Sequence, residues 1–342
     1  MDWNRARTLH QKSQRGEKLS ADEQKYLERA VELRGRGERR SPGVSGEGKT
    51  SIGCTPLTEL STNRYQGEVG GLYGGGRNEP PTEWNALAQK HTAGIRPLDR
   101  DGKHSPTGKV VLLSVGMSNT TQEFSEFQRT LKNEPEKSPH LVLVDGAQGG
   151  QSAERTVSET ANFWTTIDER LQAAGVSASQ VQVVWLKQAI AGPRNSFPAN
   201  AAELQGYLGS IVRILKKRFP NLQIAYLSSR IYAGYATTGL NPEPHAYESA
   251  FAVRGLIEQQ IKGDPELNCE AGRGEVRAPL LLWGPYLWAD GTKARKSDGL
   301  IWEEKDFRGD GTHPSESGRQ KVARQLLNFF KTDRNARQWF LR

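Results

Sequence analysis

From residue 109 onward, apolar residues gather in five short runs. They are "KVVLLSV" (109–115), "HLVLVD" (140–145), "VQVVWL" (181–186), "LQIAYLSS" (222–229) and "PLLLWG" (279–284). Each is rich in Val, Leu and Ile, and each stops at Gly, Ser, Asp or Lys, as buried strands do. Between them the apolar residues recur at helical spacing. "SETANFWTTIDERLQAAG" ends at Gly175, "AELQGYLGSIVRILKKRFP" at Pro220, and "AYESAFAVRGLIEQQIKG" follows the fourth run. The last such segment, "SESGRQKVARQLLNFFK", places Val322, Leu326, Phe329 and Phe330 on one face. Continuously apolar strands alternating with amphipathic helices predict a parallel sheet covered on both sides. The fold class expected is α/β, a three-layer α/β/α sandwich with a five-stranded parallel sheet.

The part before residue 105 has a different texture. "LSADEQKYLERAVELR" (19–34) predicts a short helix with Ser20 as N-cap, Glu23 in capping-box position and Gly35 and Gly37 beyond its end. The following seventy residues are rich in Gly, Pro, Thr and Asn, with scattered aromatic residues. They predict an irregular segment that packs over the main domain. The expected division is an N-terminal extension at 1–104, a catalytic-type domain at 105–335 and a C-terminal tail at 336–342.

The totals narrow the function classes. The chain has 342 residues, 35% hydrophobic and 25% charged, with net charge +8. Its basic residues are mostly interleaved with acids, so no nucleic-acid partner is expected. No run of eighteen apolar residues occurs, which argues against a membrane-spanning helix. The N-terminal residues lack the apolar centre of a secretion signal. Cys54 and Cys269 show no metal-ligand spacing; they form one disulfide or stay as two free thiols. No metal or cofactor is expected.

The chemistry concentrates where the first strand ends. "VVLLSVGMSNTTQEF" (110–124) runs from strand through a tight turn into a helix, presenting Ser118 at the join. In parallel sheets, ligands bind outside the carboxyl ends of the strands. Ser118 is therefore either a helix cap or a nucleophile. A serine nucleophile needs a base, a group to orient that base, and donors for the oxyanion. Of the six histidines, His10, His91 and His104 lie in or beside the N-terminal part, and His140 starts a strand at the wrong sheet edge. His245 follows the fourth strand. His313, in "DFRGDGTHPSESG" after the fifth strand, is the best base, with Asp310 three residues earlier to fix its tautomer.

Three segments together resemble the SGNH (GDSL-type) hydrolase superfamily over residues 108–331. They are Ser118 in "SVGMSNT", Gly150 in "VDGAQGGQS", and Asp310 with His313 in "GDGTHPSESG". The "GMSN" form is most similar to the branch of sialate O-acetylesterases and related carbohydrate acetylesterases. The resemblance implies a flavodoxin-like fold and a two-step acyl-enzyme mechanism without cofactor. Ser118 would be the nucleophile, His313 the base, Asp310 its orienting acid, and the N–H groups of Ser118 and Gly150 the oxyanion donors. The family's GxND block after the third strand is missing. Its donor would come from Gln188, with Lys187 and Asn195 as rivals.

Further substrate contacts are expected from Asn119, Gln151, and Arg230, Tyr232 and His245 in the long insert after the fourth strand. Tyr286 and Trp288 are expected as a sugar platform, while Trp283 reads as core. The substrate expected is a small-molecule or carbohydrate ester, most simply a short acyl (acetyl) one. Alternatives are an esterase, lipase or acyltransferase of other acyl specificity, or a degenerate, non-catalytic glycan-binding protein.

Overall fold

The computed structural model describes residues 49–342 throughout and, before them, Arg5, Leu9, Leu19, Ser20, residues 22–26 and Arg29. Met1–Glu47 and Gly48–Arg342 are two separate compact units. In the first, the capping box is formed: the Glu23 N–H donates to Ser20 Oγ at 3.2 Å and the Ser20 N–H donates to the Glu23 carboxylate at 2.9 Å. Gly35 and Gly37, expected to stop that helix, lie outside the described residues.

The second unit is built on the expected parallel sheet. Its strands are β1 (Val110–Gly116), β2 (Leu141–Asp145), β3 (Val181–Lys187), β4 (Ile224–Leu227) and β5 (Leu280–Trp283). Their order is β2-β1-β3-β4-β5, all parallel. This is the flavodoxin-like order. β1, β3, β4 and β5 are buried at every position, which is why they read as unbroken apolar runs rather than as alternation.

Six longer helices flank the sheet: α1 (Thr82–Ala93), α2 (Ser118–Leu131), α3 (Asn162–Ala173), α4 (Ala199–Arg218), α5 (His245–Ile261) and α6 (Glu316–Thr332). The chain winds from β1 to β2 in one direction and from β2 to β3 in the other. With right-handed crossovers, that reversal puts α2 and α3 on opposite faces. α2 packs against α6, and α4 against α5. On the α2 face, Phe124 stacks on Trp185 at 5.9 Å, and Phe127 stacks on Phe330 of α6 at 5.8 Å and on Phe340 at 6.3 Å.

Two stretches differ from expectation. Residues 49–104 belong to the same compact unit as the sheet and hold α1 and a two-strand hairpin, Arg64–Tyr65 with Glu68–Val69. α1 forms because no Gly or Pro interrupts residues 82–93 and because Trp84, Ala88 and Thr92, four apart, share one buried face. The Trp84 indole donates to the Leu281 carbonyl of β5 at 3.2 Å. Residues 336–342, expected as a tail, instead turn back on the core: Trp339 and Phe340 are buried, and the Ser138 N–H donates to the Phe340 carbonyl at 2.9 Å. Cys54 and Cys269 are both free thiols.

The Phe124–Trp185 stack seats α2, so Phe124→Ala should lower the unfolding free energy by about 3–5 kcal/mol. Urea denaturation of the two proteins checks this.

Candidate functional site

At the carboxyl edge of β1 the sequence V-G-M-S turns directly into α2. Met117 takes the N-cap position with extended backbone (φ −105°) and no side-chain capping bond; Ser118 is the first helical residue. The Ser118 hydroxyl is therefore not a cap. Its partner is His313: Oγ lies 2.8 Å from Nε2. The other ring nitrogen, Nδ1, lies 2.5 Å from Asp310 Oδ2. The second carboxylate oxygen accepts the backbone N–H groups of Thr312 and His313, each at 2.9 Å. Burial alone would raise the Asp310 carboxyl. The hydrogen bonds from the His313 ring and from the two backbone N–H groups outweigh it and hold the group well below the usual carboxylate range.

The turn that carries Asp310 and His313 is shaped by Gly311. Its φ is +61°, and a Cβ there would come within 1.8 Å of the Tyr235 carbonyl oxygen. The turn can thus lie directly on the insert that follows β4. That insert is fastened to it: the Thr237 N–H donates to the Asp310 carbonyl at 3.0 Å, and Thr238 Oγ1 is 3.4 Å from Thr312 Oγ1. Its other flank reaches the segment after β3, where the Gly192 N–H donates to the Leu240 carbonyl at 2.7 Å. Leu240 is 43% exposed. Thr237, Thr238 and Leu240 thus tie the insert to the rim of the site. Their only sequence signal is a small, flexible T-T-G-L at the tip of the insert.

Gly150 follows β2 on an exposed turn with φ +75°. Its carbonyl accepts from Arg155 Nη1 at 3.2 Å. Among the described residues, neither its N–H nor that of Ser118 donates to another protein group. For Ser118 this follows from its place at the start of the helix, where N–H groups have no acceptor one turn back. Gln188 is buried behind the same turn; its Nε2 donates to the Gln151 carbonyl at 3.0 Å, while its Oε1 has no hydrogen-bond partner among the described residues. Its amide N–H is already engaged in holding the 146–152 turn. Of the rivals, Lys187 is committed to Glu123 at 2.6 Å, and Asn195 lies on the exposed surface bonded to Glu203 at 3.1 Å.

Several expected substrate contacts lie elsewhere. Asn119 is buried and donates from Nδ2 to the Thr312 carbonyl at 2.9 Å, so it fastens the Ser118 turn to the His313 turn and has no exposed face. Tyr232, Tyr286 and Trp288 are buried too. The Tyr232 hydroxyl donates to the Lys49 carbonyl at 2.7 Å, Tyr286 accepts from the Leu57 N–H at 3.0 Å, and the Trp288 indole donates to Glu243 Oε1 at 2.8 Å. These rings hold the 49–60 segment and the insert in place instead of offering a platform. Arg230 is 1% exposed and sealed from solvent. His245 starts α5, 3.4 Å from Glu248 Oε2, and makes no bond to Ser118, Asp310 or His313. Gln151 is partly exposed beside Gly150 and remains at the site. Trp283 is core, as expected.

A polar groove of about 710 Å³ lined by Glu159, Arg213, Lys216, Lys217 and Arg277 lies at the C-terminal end of α4, which is the opposite sheet edge. It contains none of the residues above. Among the described residues, no cluster of three or more His, Cys, Asp or Glu side chains could hold a metal ion, and no helix is long and apolar enough to cross a membrane.

No protein-family model and no curated protein matches the chain. Solved structures similar in architecture include a protein from Bacteroides fragilis provisionally assigned as an acylhydrolase (13% identity, TM-score 0.39, covering 73% of this chain and 96% of that one). The periplasmic domain of a lipopolysaccharide acetyltransferase from Salmonella ser. Paratyphi A is another (14%, 0.38, 72% and 96%). A salicylyl-acyltransferase from a tetracycline biosynthetic pathway is a third (13%, 0.34, 66% and 55%). At these values the likeness carries no chemistry, which has to be read from the side chains.

Two outcomes are expected here. Gly150→Ala forces an L-residue into the left-handed region and should cost about 1–2 kcal/mol of stability, read by urea denaturation. The Glu243 carboxyl is pushed up to about 7, chiefly by burial, against the Trp288 indole, the N–H groups of Ala233 and Tyr247, and the charge of Arg230. Between its ordinary value of 4.5 and about 7 the folded protein keeps a proton that the unfolded chain has released. Stability should therefore fall as pH rises through that window. Glu243→Gln should flatten this slope in urea melts taken from pH 4.5 to 7.5; an unaltered slope would contradict the assignment.

Proposed function

We propose that this protein is a serine ester hydrolase that works through an acyl-enzyme on Ser118. The observation that carries the reading is the continuous Ser118–His313–Asp310 chain of hydrogen bonds, 2.8 and 2.5 Å long, at the carboxyl edge of the sheet. In this mechanism Ser118 Oγ attacks the ester carbonyl as His313 Nε2 takes its proton. The tetrahedral intermediate's oxyanion lies against the N–H groups of Ser118 and Gly150. It collapses as His313 returns the proton to the leaving alcohol. Water then attacks the acyl-Ser118 ester by the same proton path. Asp310 stays ionised throughout, because its carboxyl is held low. It keeps the Nδ1–H tautomer and balances the imidazolium charge.

The preferred substrate in this reading is a short-acyl, acetyl-type ester of a carbohydrate. Its support is the sequence similarity of the "GMSN" turn to carbohydrate acetylesterases. The missing GxND asparagine leaves two backbone donors for the oxyanion. Losing one donor of this kind costs about 100- to 1000-fold in turnover, so moderate rates are expected.

Ser118→Ala should abolish turnover of p-nitrophenyl acetate with an unchanged melting curve, and a fluorophosphonate should leave a mass adduct on Ser118 of the native protein alone. Native-like turnover in the variant, or no adduct on the native protein, would reject the reading. Asp310→Asn should lower kcat by about 10⁴-fold, the scale of losing the orienting acid of such a triad. Acetyl, butyryl and octanoyl esters assayed side by side test the acyl length, with the acetyl ester expected to be fastest.

A further inference from the structure

Beneath Ser118 lies a row of charges that the mechanism above does not use. Glu123 stands on α2 one turn after Asn119, on the same buried side of the helix. On β3, Trp185 stacks on Phe124 of α2, and Lys187, two residues on, shares that face of the sheet. The two periodicities bring the pair together. Lys187 Nζ donates to Glu123 Oε1 at 2.6 Å and also to Oε2, and both side chains are fully buried. The Lys187 carbonyl, in turn, accepts from Thr120 Oγ1 at 2.8 Å. Burial pushes the Glu123 carboxyl up and pulls the Lys187 ammonium down, and each charge opposes the other's shift.

Such a pair is a poor source of stability. Desolvating two charges offsets most of their attraction, and apolar residues of similar volume often do as well or better. The Phe124–Trp185 stack already supplies apolar cohesion here. An aromatic stack is less directional than a charged pair held by two hydrogen bonds. An ammonium bonded to both oxygens of a carboxylate fixes both the rotation and the axial position of the helix. Ser118 sits five residues before Glu123, about 7.5 Å along the axis. A misplacement of about 1 Å at a reacting atom costs on the order of 100-fold in rate.

A third buried charge acts on the pair. Arg230 at the end of β4 is 1% exposed, and its Nε and Nη2 have no hydrogen-bond partner among the described residues. Burial pulls its charge down, and the carboxylates of Glu123, Glu243 and Asp310 oppose that shift.

We propose that Glu123 and Lys187 are positioning residues: by locking the buried side of α2 to the end of β3, they hold Ser118 in register with His313. The proposal deepens the esterase reading and rests on it for its kinetic consequence.

The experiment compares the native protein with Glu123→Leu/Lys187→Met, Glu123→Asp and Glu123→Gln. The double variant removes both charges at once and should melt at or above the native temperature. Its kcat on p-nitrophenyl acetate and its rate of inactivation by a fluorophosphonate should fall at least about 10-fold, with KM unchanged. Glu123→Asp keeps the charge with a shorter reach and should show the same kcat loss with a nearly native melt. Glu123→Gln leaves Lys187 unpaired and should lose both kcat and melting temperature. The ¹⁵N shift of His313 Nε2, which reads its bond with Ser118 whatever the protein turns over, should move in the double variant and in Glu123→Asp. A native kcat with an unmoved His313 signal in folded Glu123→Asp or in the folded double variant overturns the proposal. Absence of turnover and of any Ser118 adduct in the native protein instead defeats the esterase reading, and the His313 shift still decides the positioning question.

Discussion

A parallel sheet places the carboxyl ends of all its strands along one edge, and everything at this site depends on that constraint. Ser118 and His313 are 195 residues apart in the chain, yet one leaves β1 and the other lies on the path from β5 to α6, so both emerge at the same edge. The winding reversal between β1 and β3 sends the flanking helices to opposite faces, and in such sheets a crevice forms at that point as a rule. Ser118 heads the helix on one side of that crevice, and the Gly150 turn follows β2 on the other. Among the described residues their N–H groups have no protein acceptor; for Ser118 the reason is its place at a helix start.

The edge is held by polar ties rather than by apolar packing alone. Asn119 fastens the Ser118 turn to the Thr312 carbonyl, Thr120 fastens it to the Lys187 carbonyl, and the 237–240 segment bridges the Asp310 turn to the chain after β3. Directional bonds suit this task, since they hold side chains from distant segments in one relative position. Their cost is a concentration of desolvated groups, with Glu123, Lys187 and Arg230 all buried. The strands beneath are buried at every position and mostly apolar, which offsets this cost.

The aromatic residues near the site have a different task. Tyr232, Tyr286 and Trp288 anchor the 49–60 segment and the insert through hydroxyl and indole groups, with Tyr247 adding a bond to the Thr55 carbonyl at 2.8 Å. A buried Tyr or Trp needs a partner for its polar end, and an adjacent irregular segment has backbone groups in need of partners. The two needs answer each other. This is how a Gly- and Pro-rich stretch comes to lie in the same compact unit as a regular sheet.

The alternation of apolar runs with helical spacing was enough to specify five strands, their parallel arrangement and the edge at which Ser118 emerges. Periodicity is a local property that burial on two faces imposes directly on residue choice. The D-x-x-H spacing likewise made Asp310 and His313 legible as one turn, because three residues span a hydrogen-bonded loop. α1 was hidden in a stretch whose Gly and Pro content masked twelve uninterrupted residues. Which polar side chains face the cleft was not legible either. Asn119, Arg230, Tyr232, Tyr286 and Trp288 have the composition of a binding surface, yet each is buried against segments from distant parts of the chain. The pairing of Glu123 with Lys187 joins a helix to a strand 64 residues away. Local pattern determines which elements form and where they end; the exposure and the partner of a polar group are set by neighbours that only the folded chain brings together.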